Sequence, residues 1–216
     1  MQFLRRHWYS LGLAVGGTAI AWAFLGTLKT VQVILLLNFA ALTLHQFEEY
    51  GWPGGFPWIM NEVLGPAGGP ADRFRLNQNN AAFINIVAWP FCLLPVLFPN
   101  ILPLGLAMVL FTLGQFIVHG VITNAKLKSL YNPGLTAVIL GHVPIGVWYL
   151  VEAYSKSTVT PWDWVLGLIY LGCFIGVVMQ LIGFRLLAAK DSPYPFAPEE
   201  MERFDRRGHL ARLGKN

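Results

Sequence analysis

Residues 162–184 read WDWVLGLIYLGCFIGVVMQLIGF, a run whose one charge, Asp163, stands at its start. About 20 apolar residues at 1.5 Å rise cross the hydrocarbon layer of a bilayer, and this stretch meets that length. Working outward, the same reading applies to 8–27, 31–47, 80–100, 101–122 and 133–151, so the sequence predicts about six spans. The second is the shortest, and only the turn signal Phe98-Pro99-Asn100 separates the third from the fourth. Alternating ten-residue segments of a membrane barrel are absent. The expected fold is therefore all-α: a polytopic membrane helix bundle over 1–190, then a polar cytoplasmic tail over 191–216. Composition agrees. The 216 residues are 55% apolar and 12% charged, with mean hydropathy +0.53, whereas soluble domains carry roughly 25% charge.

The basic residues orient the bundle. With the N-terminus inside, every one of the 15 lysines and arginines except Lys29 and Lys156 falls on the inner side, as cytoplasmic loops require. Both termini are expected to be cytoplasmic, in a prokaryotic inner (plasma) membrane. Arg5-Arg6 before an apolar run resembles a signal peptide, but the run continues to Leu25, which favours a retained helix. A net charge of +4 spread along span ends does not suggest nucleic-acid binding. Cys92 and Cys173 both lie in apolar runs, against a disulfide scaffold or a cysteine zinc site.

Between spans two and three lies a Gly/Pro-rich loop, 48–79. Its Trp52, Phe56, Trp58 and Ile59 suggest a segment lying on the membrane interface. Trp8, Trp52, Trp58, Trp148, Trp162 and Trp164 read as interface anchors, and the tail suggests an amphipathic helix from about Pro198 to Leu213.

Polar residues within a span are costly and are functional candidates by default. Five stand out: His45, Glu48 and Glu49 ending span two, His119 near the end of span four, and His142 about 15 Å into span five. The directions of the spans bring all five to one level in the cytoplasmic half. His45 shares a helix face with Glu48 (i, i+3) and with Glu49 (i, i+4). Imidazole and carboxylate together suit a divalent metal, zinc first, with iron or manganese as alternatives. The expected ligands are His45, Glu48, His119 and His142, with Glu49 as acid/base and Glu48 also a catalytic candidate. Asn80, Asn85, Gln115, Asn124, Tyr131 and Asn132 are polar support, able to orient ligands, bind substrate or cap helices.

His45-Gln46-Phe47-Glu48-Glu49, followed by Pro53-Gly54-Gly55-Phe56-Pro57, resembles the HxxEE-motif membrane protein family over about residues 31–151. His119 and Tyr131-Asn132-Pro133-Gly134-Leu135 leading to His142 are similar too. The resemblance implies a bacterial or archaeal-type membrane protein with a His/Glu site, and no particular substrate. CAAX-processing intramembrane proteases are similar more weakly. Pro53 stands where their arginine follows the glutamate pair, Gln115 replaces a phenylalanine, and Gly146 replaces a polar residue.

The functional expectation is a membrane-embedded, metal-dependent enzyme acting on a lipid or lipid-linked substrate, with hydrolysis the simplest chemistry. The rival is a metal-free isomerase or cyclase of an isoprenoid- or sterol-like lipid, using Glu and His as acid and base. A third reading is an ion-coupled transporter or binding subunit, which the one-sided placement of the polar groups disfavours.

Overall fold

In the computed structural model, which describes residues 2–65, 68–156 and 159–204, six helices are long and apolar enough to cross a membrane. They are α1 (Gln2–Leu25), α2 (Thr30–Tyr50), α4 (Gln78–Leu97), α5 (Leu102–Leu127), α6 (Leu135–Lys156) and α7 (Pro161–Leu186). A short α3 (56–64) lies in the loop, and α8 (Pro198–Glu202) in the tail. No strand occurs among the described residues. The chain is a multi-pass, all-helical membrane protein. Of the amphipathic helix expected over Pro198 to Leu213, the part beyond Phe204 lies outside the described residues.

Local chemistry sets the helix starts. Asn77 caps α4 by accepting from Asn79 N and Asn80 N, and Asn80 Oδ1 returns the bond by accepting from Asn77 N. Thr160 and Asp163 do the same at α7, with Pro161 in the first turn. Asn80 Nδ2 also donates to Arg75 O and Gly183 O, tying α4 to α7. Asn80 is thus a cap and a clamp, with its side chain committed away from the histidines.

The central helix is α2, which packs against α1, α4, α5 and α6. It is buried along Ile34 to Leu42 except at half-buried Leu37, which is why its sequence is apolar nearly all round rather than striped. Helix α7 is the least buried span and lies outside, against α5 and α4.

Two apolar clusters follow. One fills the middle of the bundle around Phe39, Phe91, Met108 and Phe174. The other joins the base of α1 and α2 to the loop and tail through Trp8, Tyr50, Trp58, Ile59, Leu127, Phe196 and Phe204. This second cluster corrects two expectations. Trp8 (1% exposed) and Trp58 (8%) are core residues, and Ile59 is fully buried; of the loop's aromatic and aliphatic set only Trp52, 75% exposed, is free to lie on the interface. The loop folds back because the tail supplies an apolar partner, Phe204 stacking on Trp58 at 6.1 Å.

Asn61 holds the loop closed. Its side chain donates to Ala71 O and Leu76 O and accepts from Leu76 N, all within 2.8 Å. Asp72 pairs with Arg73, whose hydrogen bonds keep that carboxyl below the ordinary carboxylate range. Asn61→Ala strands the two buried backbone groups of Leu76, at about 1 kcal/mol or more each, and frees the half-buried Ala71 carbonyl. The expected outcome is faster limited proteolysis within 62–76 with the spans intact, read by mass spectrometry of the fragments.

Candidate functional site

The loop-side ends of α2, α5 and α6 bring three histidines together. The His45 and His119 rings lie 4.8 Å apart and the His45 and His142 rings 5.6 Å apart, all three side chains buried. His119 lies within a π-helical stretch, Phe116–Thr123, and His142 ends another, Val138–His142. Such wide turns inside α-helices recur at functional sites.

Each imidazole is oriented through Nδ1. His45 Nδ1 faces Gly134 O at 3.0 Å, and a carbonyl can only accept. His119 Nδ1 faces Asn132 Oδ1 at 2.7 Å. The orientation of that amide is fixed because Asn132 Nδ2 donates to His119 O and to Asn124 Oδ1. His142 Nδ1 faces Asn38 Oδ1 at 3.0 Å, while Asn38 Nδ2 donates to Thr112 Oγ1, whose own proton goes to Val109 O. Every network therefore puts the ring proton of the neutral imidazole on Nδ1 and leaves the Nε2 lone pair free.

Two of those lone pairs, of His45 and His119, converge on Glu49. Its Oε1 lies 3.3 Å from His119 Nε2 and 3.6 Å from His45 Nε2. The three atoms, each able to ligate a metal, all lie within 4.8 Å of one another. Two imidazole lone pairs and a carboxylate cannot face each other in a buried site without something positive between them. A tetrahedral zinc site with ligands at 2.0–2.1 Å has neighbouring donors about 3.3 Å apart, close to the two spacings from Glu49, 3.3 and 3.6 Å. Hydrogen-bond acceptors behind the distal nitrogens of ligating histidines are also the usual outer support of such sites. The donor set fits a divalent metal. His142 stands beside the trio: its Nε2 is buried and has no hydrogen-bond partner.

Glu48 goes elsewhere. Adjacent to Glu49, it points about 100° around α2 and meets the start of α6. Its carboxylate accepts from Thr136 N at 3.1 Å, Ala137 N at 2.9 Å and the Tyr131 hydroxyl at 2.9 Å. It thereby caps a helix N-terminus whose first N–H groups have no partner of their own. Of the two acids it is Glu49, not Glu48, that faces the histidines, because the i, i+4 spacing here aims at α5 while i, i+3 aims at α6.

A cavity of about 500 Å³ opens from the trio. His45, Glu49 and His119 line it with Asn85 and Gln115, two of the polar residues singled out above. Of the others, Asn132 holds His119 and is itself held by Asn124, Tyr131 holds Glu48, and Asn80 lies at the α4 cap. The rest of the wall is mostly apolar, with Phe56 at 5.4 Å from the His119 ring on the loop side. Glu48 faces a separate apolar pocket of about 310 Å³ with Tyr131 and Trp52.

Asn38 escaped the sequence reading, although it carried a signal. It is an amide in the middle of an apolar span, seven residues before His45 and so on the same face. The Gly134 carbonyl carried none, being backbone.

No curated protein and no solved structure matches the chain. One family profile does, described as a protein of unknown function with HXXEE motif, over residues 36–149. That segment spans just over half of the sequence and contains His45, Glu48, Glu49, His119, Asn132 and His142. The chain belongs to the HXXEE-motif family.

Proposed function

We propose that the protein is a membrane-embedded, metal-dependent enzyme that acts on a lipid or lipid-linked substrate. His45, His119 and Glu49 are its ligand set. The single observation that carries this reading is the meeting of two Nε2 lone pairs and one carboxylate oxygen at 3.3 and 3.6 Å, each ring locked from behind. Zinc is the first expectation, and its contribution when bound is Lewis acidity without a redox partner. Hydrolysis follows as the simplest chemistry. The chain's own residues orient the site through Asn132 and Gly134, shelter it under the loop, and leave Glu49 Oε2 to handle a proton. Gln115 and Asn85 are placed on the cavity wall to hold a polar headgroup. The distribution of Lys and Arg supports a site in the cytoplasmic leaflet of a prokaryotic plasma membrane.

The spacing of Glu49 and His119 favours one second reading. At 3.3 Å a shared proton can stand where the metal would, which suits metal-free acid–base chemistry such as isomerisation or cyclisation of an isoprenoid-like lipid. Elemental analysis separates the two. Wild-type protein purified without chelator is expected to carry close to one equivalent of zinc, iron or manganese, and His119→Ala less than about a tenth of that. Wild type with no more metal than His119→Ala overturns the metal and leaves the acid–base reading.

A further inference from the structure

The cavity has a direction. Its loop-side half holds His45, Glu49 and His119, and below them, toward the middle of the bundle, its wall is mostly apolar as far as Phe111, with Gln115 and Gln180 as polar exceptions. Phe111 lies eight residues before His119 on α5, roughly 12 Å along the helix axis. It closes the cavity because other aromatic rings back it: Phe174 at 5.3 Å and Phe91 at 5.7 Å, both edge-on, with Phe91 itself stacked on Phe174 and Tyr170. Phe91, Phe111 and Phe174 are all buried.

One turn nearer the trio, Gly114 lines the same cavity, and a Cβ built there meets no atom within 4 Å. A glycine in mid-helix that nothing presses against is not needed for packing, and what it keeps open is the passage between the trio and Phe111. Along α7, Ile175 and Gln180 line the cavity yet remain exposed. The wall is unsealed there, so a chain in the bilayer has a sideways route in.

From this we infer that the cavity is a length gauge for one apolar chain, acyl or isoprenoid, whose polar end lies at the trio, which passes Gly114 and stops against Phe111. The inference rests on the lipid-substrate reading above, but not on the metal. A mostly apolar enclosure of about 500 Å³ with a few polar groups at one end has the size and character of a site for one lipid-like molecule.

The test uses full-length protein in nanodiscs, with thermal stabilisation measured across a chain-length series of free fatty acids and another of polyprenyl alcohols. Wild type is expected to show an optimum length in one series, which identifies the chain chemistry. Gly114→Leu, which fills open space and favours helix, is expected to keep the ligand-free melting temperature and move the optimum to shorter chains or abolish stabilisation. Phe111→Ala is expected to move it to longer chains. Should Phe111→Ala fail to fold, Gly114→Leu decides alone. Absence of stabilisation of wild type by either series, or an optimum unmoved in Gly114→Leu, overturns the gauge. Metal content measured on the same samples keeps the two readings apart: a shifted optimum in metal-free protein retains the gauge and removes the metal, and bound metal with no optimum does the opposite.

Discussion

Glu49→Gln is expected to lose bound metal and to keep the melting temperature of metal-free wild type, while Glu48→Leu keeps its metal and melts several degrees lower. The two carboxylates are neighbours in sequence and similarly buried, so a general effect of removing a buried acid would treat them alike. Their partners differ. Glu49 Oε1 faces the two Nε2 atoms. An amide keeps the shape and is a poor metal ligand; its NH₂ can donate to one lone pair, which spares the fold. Glu48 instead satisfies two backbone N–H groups and the Tyr131 hydroxyl. Leucine strands both N–H groups at the start of α6, at about 1–3 kcal/mol each. Glu48→Gln should fall between, since one amide oxygen can still accept. Paired measurements of metal content and thermal unfolding in detergent check this. Metal lost equally from both variants would place Glu48 in the ligand set and contradict the geometry.

The second large effect is expected at Gly134. Its φ is +101°, in the left-handed region that costs an L-residue roughly 1–2 kcal/mol. A Cβ there would lie 2.7 Å from His45 Cε1 and 2.8 Å from His119 Cε1. Neither ring can yield freely, since His45 is hydrogen-bonded to the carbonyl of Gly134 itself and His119 to Asn132. Gly134→Ala is therefore expected to unfold at lower temperature and to purify without metal. Gly172→Ala, where a Cβ meets nothing within 4 Å, serves as the control and should change neither property. Wild-type metal content in Gly134→Ala would show that the rings have room to move and that the trio is less rigid than the hydrogen bonds indicate.

Much of the architecture was readable from one dimension. Spans are set by length and apolarity, which are local, and the predicted 31–47 and 162–184 correspond to α2 (Thr30–Tyr50) and α7 (Pro161–Leu186). The level of each histidine also follows from sequence, because counting residues along a helix of known direction measures depth. The rotation of each helix about its axis does not, and there the expectations parted from the structure. Trp8 and Trp58 looked like interface anchors because tryptophan favours that zone, yet the tail brings Phe196 and Phe204 over them and makes a core. Asn80, for which the sequence left capping and site polarity both open, is a cap.

The sequence by itself determined an all-helical, six-span membrane protein with imidazoles and acids gathered toward one end, since hydrocarbon leaves a backbone few ways to satisfy its polar groups. Tertiary structure alone decided which acid does what. His45 shares a face with both glutamates, and only the positions of α5 and α6 around α2 send Glu49 to the histidines and Glu48 to the open end of a helix. The same packing set Asn38 and the Gly134 carbonyl behind the rings, because a partner distant in the chain is chosen by how helices rest on one another.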